Sequence, residues 1–416
     1  MNRINSIQKE LTLNTKRLFS QPGQKSPDDV VIVSTIRTPL TKANKGGLKD
    51  TAPEEMLAHV MKGVIDASGI DAGLIDDIQV GNVLQPSIGA FNARMAQMLA
   101  GIPIKVPISC VNRMCSSGLE SCALIAAKIK SGTIDIGIGC GVESMSFYSM
   151  KNMINPQTVS PKVHQNDLAK DCLLPMGVTS DILAENFNLK REELDQFSAE
   201  SHKKAANAKA NGYFKKEILP IKTKVKGKDG KETEVLVSED DGVRPETSLE
   251  SLAKLKPSFR SNGYSHPGNS SQMTDGAAAV LMMRRSVADK LGLKVLGKFV
   301  HHVVIGVPPK IMGIGPSEAI PLVLQNTGLS LKDIDIFEIN EAFASVVVIA
   351  MKKLNIDPKK INPNGGAIAF GHPLGATGSR QITTLINELK RTNKRYGIVT
   401  MCLGAGMGAA AIIENE

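Results

Sequence analysis

The stretch VPISCVNRMCSSGLESCALIAAKIKSGTIDIGIGCG (residues 106–141) decides the fold. VPISCV (106–111) is a short apolar run of strand character. SSGLESCALIAAKIKSG (116–132) carries apolar residues at helical spacing and stops at Gly132, the residue type that most easily takes the left-handed turn after a helix. TIDIGIGCG (133–141) is strand-like again. Strand, helix and strand in close succession are the unit of a parallel α/β sheet.

The same rhythm runs outward in both directions. Before it come DVVIVS (29–34) and IDDIQVGNV (75–83) as strands, with PEEMLAHVMKGVIDASG (53–69) and FNARMAQMLAG (91–101) as helices. From residue 284 the alternation resumes. VLGKFVHHVVIG and DIFEIN read as strands, and PSEAIPLVLQNTG, EAFASVVVIAMKKL and LGATGSRQITTLINELKR as helices. RYGIVTMCLGAGMGAAAII closes the chain as two strands. Residues 145–280 break the rhythm and are richer in charge. In KTKVKGKDGKETEVLV (222–237) the Asp229-Gly230 pair predicts a hairpin turn, and the lysines read as a solvated face.

The expected layout is a targeting segment (1–28), an N-terminal half (29–144), an inserted loop domain (145–280) and a C-terminal half (281–416). The halves resemble each other weakly. Each has a reactive residue, a glycine-bearing turn, a helix, and a strand ending in Cys-Gly or Cys-x-Gly: Cys115 then GIGCG, and His372 then VTMCLG.

Composition narrows the function. The chain has 416 residues, 42% hydrophobic and 22% charged, too many for one core, so two or three domains are expected. No apolar run approaches the roughly 18 residues of a membrane helix. The net charge is +9, but lysines and arginines are dispersed and aromatics are only 4%, so no nucleic-acid platform stands out. The six cysteines form no CxxC pair and read as free thiols. No metal-ligand spacing occurs.

Four positions invite chemistry. Cys115 falls between a strand end and a helix start, where unpaired N–H groups and the helix dipole favour a thiolate and lower its pKa; the alternative is a buried structural cysteine. His372 lies in the glycine-dense NPNGGAIAFGHPLGATG (362–378), placed to take a proton from a thiol; a satisfied loop histidine is the alternative. Cys402 ends a strand in MCLGAGMGAAA (401–411). The glycine spacing there mimics part of a dinucleotide fingerprint, but no helix or βαβ unit follows. A glycine-lined turn with N–H groups for an oxyanion remains. Asn340, in FEINEAFAS (337–345), leaves a strand end; with Glu341 it could equally be a helix cap. Two thiols imply two jobs, one acylated and one moving a proton, which is acyl transfer coupled to carbon–carbon bond chemistry beside a carbonyl.

NRMCSSGLES, VGNVLQP, GVESMS, GNSSQMTDGAAA, NEAFAS, GGAIAFGHPLGATGSRQ and CLGAGMGAA together resemble the thiolase family over about residues 29–414. Within it the motifs are most similar to the peroxisomal 3-ketoacyl-CoA thiolases, which perform the last step of fatty-acid β-oxidation. The resemblance implies two similar α/β halves in five layers, αβαβα, with an inserted loop domain that holds CoA, and a homodimer. It implies Cys115 as the acylated nucleophile and His372 as its base. Asn340 would hold a water in the first oxyanion site, and Cys402 would be the acid/base for the acetyl-CoA enolate and for incoming CoA. The N–H groups of Cys115 and Gly404 would form a second oxyanion hole. Arg244, Ser251 and Ser271 fall at CoA-contacting positions, and Met176 stands beside the substrate. CoA is a substrate, and neither a tightly bound cofactor nor a metal is implied.

Met114 stands where many relatives carry Gln. Pro175-Met176 stands where short-chain biosynthetic enzymes often carry His-Met, which favours a degradative enzyme. An acetoacetyl-CoA thiolase acting in condensation is the alternative. A decarboxylating ketoacyl synthase is disfavoured by Cys402 and the CxGxG end, and a dead lipid-binding relative by the four intact reactive positions. RINSIQKEL (3–11) resembles an N-terminal peroxisomal import signal, apart from Glu10 where His or Gln is expected. It implies a peroxisomal import receptor as a partner, with a mitochondrion or cytosol as the alternative location.

Overall fold

A computed structural model describes residues 22–416. Most of the 1–28 segment, including RINSIQKEL, lies outside the described residues. The strands are β1 (Val30–Arg37), β2 (Thr41–Lys42), β3 (Asp77–Gly81), β4 (Ile108–Val111), β5 (Ile136–Ser144), β6 (Ile221–Lys226), β7 (Glu232–Val237), β8 (Thr274–Arg284), β9 (Gly297–Gly306), β10 (Ile336–Ile339), β11 (Tyr396–Leu403) and β12 (Met407–Asn415).

Their order is β4-β3-β5-β8-β1 in one half and β9-β12-β11-β10 in the other, with β2 on β8. Only two residue pairs, Val31 with Lys298 and Ile32 with Gly297, join β1 to β9 across the boundary. The halves repeat one plan. β3 runs parallel to β4 and β5, β5 antiparallel to β8, and β8 antiparallel to β1. β10 likewise runs parallel to β11 and bridges in parallel to Ile361, β11 pairs antiparallel with β12, and β12 with β9.

Each sheet is apolar on both faces, so each needs helices on both sides. The Pro53–Ser68 and Ala90–Leu99 helices cover the outside of the first sheet with Met56, Val60, Val64, Ala93 and Ala96. The Gly315–Thr327 and Ala344–Leu354 helices cover the outside of the second with Ile320, Val323 and Val347. Between the sheets lie the Ser117–Lys130 and Thr377–Thr392 helices, whose Leu119, Cys122, Ile125, Ile382, Leu385 and Leu389 share one core with both. The result is the five-layer αβαβα stack.

The two middle helices meet at their starts through backbone. A Cβ on Gly378 would lie 2.2 Å from the Leu119 nitrogen, and one on Gly118 would lie 2.6 Å from the Gly375 oxygen. Gly141 of β5 is as confined, 2.1 Å from the same oxygen. Any side chain at these positions would push the helices apart.

β8 is the main departure from the sequence reading. Its residues TDGAAAVLMMR (274–284) lie largely within the segment read as the 145–280 insertion, yet they form the strand between β1 and β5. Alanine and glycine are poor strand formers, and a strand buried on both faces shows no alternation, so nothing local marked it. The rest of the segment touches the main sheet through a parallel bridge from Ile218 to Arg37 of β1 and otherwise packs outside it. It contains the Met176–Asn186 and Arg191–Ala210 helices and the β6–β7 hairpin, which turns at Gly230 with φ +80°. Among the described residues no helix is long and apolar enough to cross a membrane.

Candidate active site

Three turns converge where the middle helices begin. The first follows β4. Met114 sits in the left-handed region at φ +49°, and its N–H donates to Asn112 Oδ1 at 2.9 Å. Ser117 Oγ ties the same turn, accepting from Arg113 N at 2.9 Å and donating to Met114 O at 2.6 Å. A bulky non-glycine residue in this conformation costs on the order of 1–3 kcal/mol and persists only where the surroundings enforce it. It presents Cys115 just ahead of the helix start.

The second turn joins β11 to β12. Ala405 and Gly406 have φ +63° and +87°, and the backbone N–H groups of Gly404 and Cys115 lie near enough to the Cys115 thiol to favour its thiolate. Met114 and Met176 flank this glycine: a Cβ on Gly404 would stand 3.8 Å from Met114 Cγ and from Met176 Sδ. Cys402 lies at the end of β11, fully buried against Met312, Ala342, Phe343 and Met176. It is close enough that charge on Cys115 opposes charge on Cys402.

The third turn carries His372. Its Nδ1 lies 2.6 Å from Thr377 Oγ1 and its Nε2 lies 3.2 Å from Asn340 Nδ2. Thr377 Oγ1 donates to Pro373 O at 3.2 Å, so it accepts from Nδ1–H and leaves Nε2 as the acceptor. The backbone N–H of His372 donates to Gln272 O at 3.2 Å and Thr274 Oγ1 at 3.1 Å. Asn340 Oδ1 is buried and has no hydrogen-bond partner among the described residues. Asn340 and Glu341 are not a helix cap: the helix begins at Ala344 without a side-chain cap. Glu341 instead accepts from Ser201 Oγ, Asn362 Nδ2 and Ile368 N.

The structure buries Cys115, His372, Cys402, Asn340 and Gly404, with Cys115 beside Gly404 and Cys402, and His372 beside Asn340. The remaining expected residues form a rim. Arg244 and Ser251 are exposed, and Ser271 and Met176 are half-buried. Ser271 N donates to Ala342 O beside the Asn340 turn. Sequence reasoning missed the supports of this set: Thr377, Gln272, Thr274 and the buried Glu143. The motifs GVESMS and GNSSQMTDGAAA contain three of them but say nothing of what they touch. A buried pair, Asp195 and His266, 2.7 Å apart, secures the segment around Gln272. Asp195 also accepts from Asn269 Nδ2, and Asn269 O accepts from Ala344 N.

The electrostatics correct one expectation. The helix start was expected to lower the Cys115 pKa. Burial instead pushes this thiol up to about 11; the N–H groups of Gly404 and Cys115 pull it back only in part, and Glu143 adds to the rise. Burial also raises the Cys402 thiol, with Cys115 adding to it. His372 is driven down to about 3 by burial, then by the positive charge of Arg380. At neutral pH the resting pair is a thiol and a neutral imidazole. Because the thiolate appears only as pH climbs toward the raised pKa, inactivation of the free enzyme by iodoacetamide should accelerate steadily from pH 7 to pH 9. A plateau reached below pH 8 would show a preformed thiolate and contradict this.

Known proteins resemble this chain along its whole length. The N-terminal domain of thiolase matches residues 30–286 and its C-terminal domain matches residues 293–415. The peroxisomal 3-ketoacyl-CoA thiolase of Yarrowia lipolytica is 51% identical, covering 100% of both chains. The crystal structure of the dimeric peroxisomal thiolase of Saccharomyces cerevisiae superposes with a TM-score of 0.87 at 45% identity, covering 95% of this chain and 99% of that one. An acetyl-CoA acetyltransferase of Bacillus anthracis superposes at 0.85 with 34% identity, covering 93% and 99%. With both domains matched in order and half of all positions identical along the full length, this chain belongs to the thiolase family.

Proposed function

We propose that this enzyme uses Cys115 to cleave 3-ketoacyl-CoA with CoA, giving acetyl-CoA and an acyl-CoA shortened by that unit. It is an acyltransferase of fatty-acid β-oxidation and works in the peroxisome, as its relatives of matching length do. The condensing acetoacetyl-CoA alternative is not favoured, since the acetyl-CoA acetyltransferase is the more distant structure. The observation that supports the residue roles is the buried Cys115 thiol with the backbone N–H groups of Cys115 and Gly404 beside it.

The residues divide the steps of the reaction among them. His372 Nε2 takes the Cys115 proton as the sulfur attacks the 3-keto carbon. The oxyanion formed on that carbon faces Cys115 N–H and Gly404 N–H, while the oxygen of the departing enolate rests by the imidazolium N–H and the Asn340 side chain, whose Oδ1 has bonding capacity to spare for a water. The C2–C3 bond breaks, and the Cys402 thiol protonates the departing enolate, giving acetyl-CoA and a Cys115 thioester. The Cys402 thiolate then takes the proton of an incoming CoA, whose sulfur attacks the thioester. The second oxyanion is held by Cys115 N–H and Gly404 N–H, where loss of one donor typically costs ~2.7–4 kcal/mol. Cys115 leaves and recovers its proton from His372. The exposed Arg244 and Ser251, with Ser271, suit the nucleotide end of CoA, and the inserted segment around them is its holding domain. CoA enters as a substrate, and the chemistry needs no metal or tightly bound cofactor. RINSIQKEL supports recognition by a peroxisomal import receptor.

A homodimer has its own support. The sheet ends at β4, whose outer edge has no strand partner among the described residues. Beside it Phe91, Leu99 and Ile104 are 78%, 63% and 77% exposed. An open strand edge next to a large apolar patch is what a self-complementary interface covers.

Acetyl-CoA release should persist from short to long 3-ketoacyl-CoAs when CoA is present, with an acyl adduct on Cys115 by mass spectrometry, and Cys115→Ala should abolish both. Cleavage of the four-carbon substrate alone would select the acetoacetyl-CoA enzyme. Sedimentation should give a dimer mass that Phe91→Asp with Leu99→Asp halves; a monomeric wild type would exclude this interface.

A further inference from the structure

One buried carboxylate has no part in the steps above. Glu143 lies near the end of β5 with none of its surface exposed. Its Oε1 accepts from Leu84 N at 3.1 Å and Asn82 Nδ2 at 3.0 Å. Its Oε2 accepts from Val83 N at 3.1 Å and Gly375 N at 2.9 Å. Three of these donors belong to the turn after β3 in the N-terminal half. The fourth, Gly375, sits three residues beyond His372 and belongs to the C-terminal half.

The surroundings give that one bond its leverage. The Gly375 oxygen is pressed against Gly141 and Gly118, and a Cβ on Gly375 would itself meet Asn82 Cα at 2.7 Å and Gly81 O at 2.8 Å. The turn is therefore stopped by backbone and tethered by the carboxylate. The His372 N–H has two acceptors of its own, Gln272 O and Thr274 Oγ1, at the start of β8, and its ring is held by Thr377 and Asn340. Glu143 ties the His372 turn instead to the turn after β3, where Asn82 N donates to Val111 O and Val83 O accepts from Asn112 Nδ2, just ahead of Cys115. Four N–H donors fill the acceptor positions of the two oxygens, which suits the ionised form. Burial works against this and pushes the pKa up to about 7.

We propose that Glu143 is a positioning residue for the thiolase reaction. By clasping Gly375 to the turn after β3, it fixes where the His372 imidazole meets the Cys115 sulfur. This rests on the Cys115–His372 reading above. A neutral amide cannot replace it: the NH2 of a glutamine would face N–H donors, leaving them unpaired and the turn loosened.

The test is steady-state kinetics of Glu143→Gln and Asn82→Ala in the full-length enzyme, beside Cys115→Ala. Misplacing a reacting pair by about 1 Å can cost about 100-fold in rate. Glu143→Gln should therefore lower kcat about 100-fold, with KM for CoA within about threefold because the rim is untouched. Asn82→Ala removes one of four donors and should lower kcat about tenfold with the same KM. A folded Glu143→Gln enzyme with kcat within about threefold of wild type, or a fall matched by an equal rise in KM, would overturn the proposal. Should Glu143→Gln fail to fold, a folded Asn82→Ala enzyme of wild-type kcat would overturn it alone. Turnover surviving in Cys115→Ala would instead remove the underlying reading, whatever Glu143 does.

Discussion

Everything at the active site depends on how closely two helix starts approach. The Ser117–Lys130 and Thr377–Thr392 helices come from different halves and face each other between the two sheets. Their N-terminal turns touch through backbone at Gly118 and Gly378, with Gly141 and Gly375 completing the contact. A helix start collects unpaired N–H groups, so bringing two starts together concentrates donors where charge will develop. Cys115, the proposed nucleophile, precedes one helix, and His372, its proposed base, precedes the other. Two halves built on one plan thus make a site that neither makes alone.

The site is kept neutral at rest. Cys115 and Cys402 are buried thiols with raised pKa values, and His372 is a buried imidazole held well below its usual range. Proton transfer from Cys115 to His372 is uphill until a carbonyl arrives to take the sulfur. The oriented N–H groups are in place before that and cost no reorganisation during reaction. The left-handed backbone at Met114 and Ala405 is part of the same design, since each distorted turn sets a backbone N–H, of Cys115 and of Gly404, beside the Cys115 thiol.

Much of this was legible in the sequence, because it is written locally. The α/β rhythm, the hairpin at Asp229-Gly230, and the positions of Cys115, His372, Asn340 and Cys402 at strand ends or in turns all follow from short-range pattern. What was not legible depends on neighbours far along the chain. β8 was hidden because an alanine-rich strand buried on both faces has no period of its own. Thr377, Gln272, Thr274 and Glu143 are ordinary residues until their partners are known. The ionisation of Cys115 was misjudged for the same reason: the helix start is a local feature, whereas the burial that outweighs it is a property of the whole stack.

The central claim is that the two N–H groups beside the Cys115 sulfur hold the acyl oxygen. The most direct measurement is a crystal structure of the enzyme trapped as its Cys115 acyl-thioester. The account predicts the thioester oxygen within hydrogen-bond distance, about 2.7–3.1 Å, of both Cys115 N and Gly404 N. An oxygen turned away from both, toward His372 and Asn340, would contradict it.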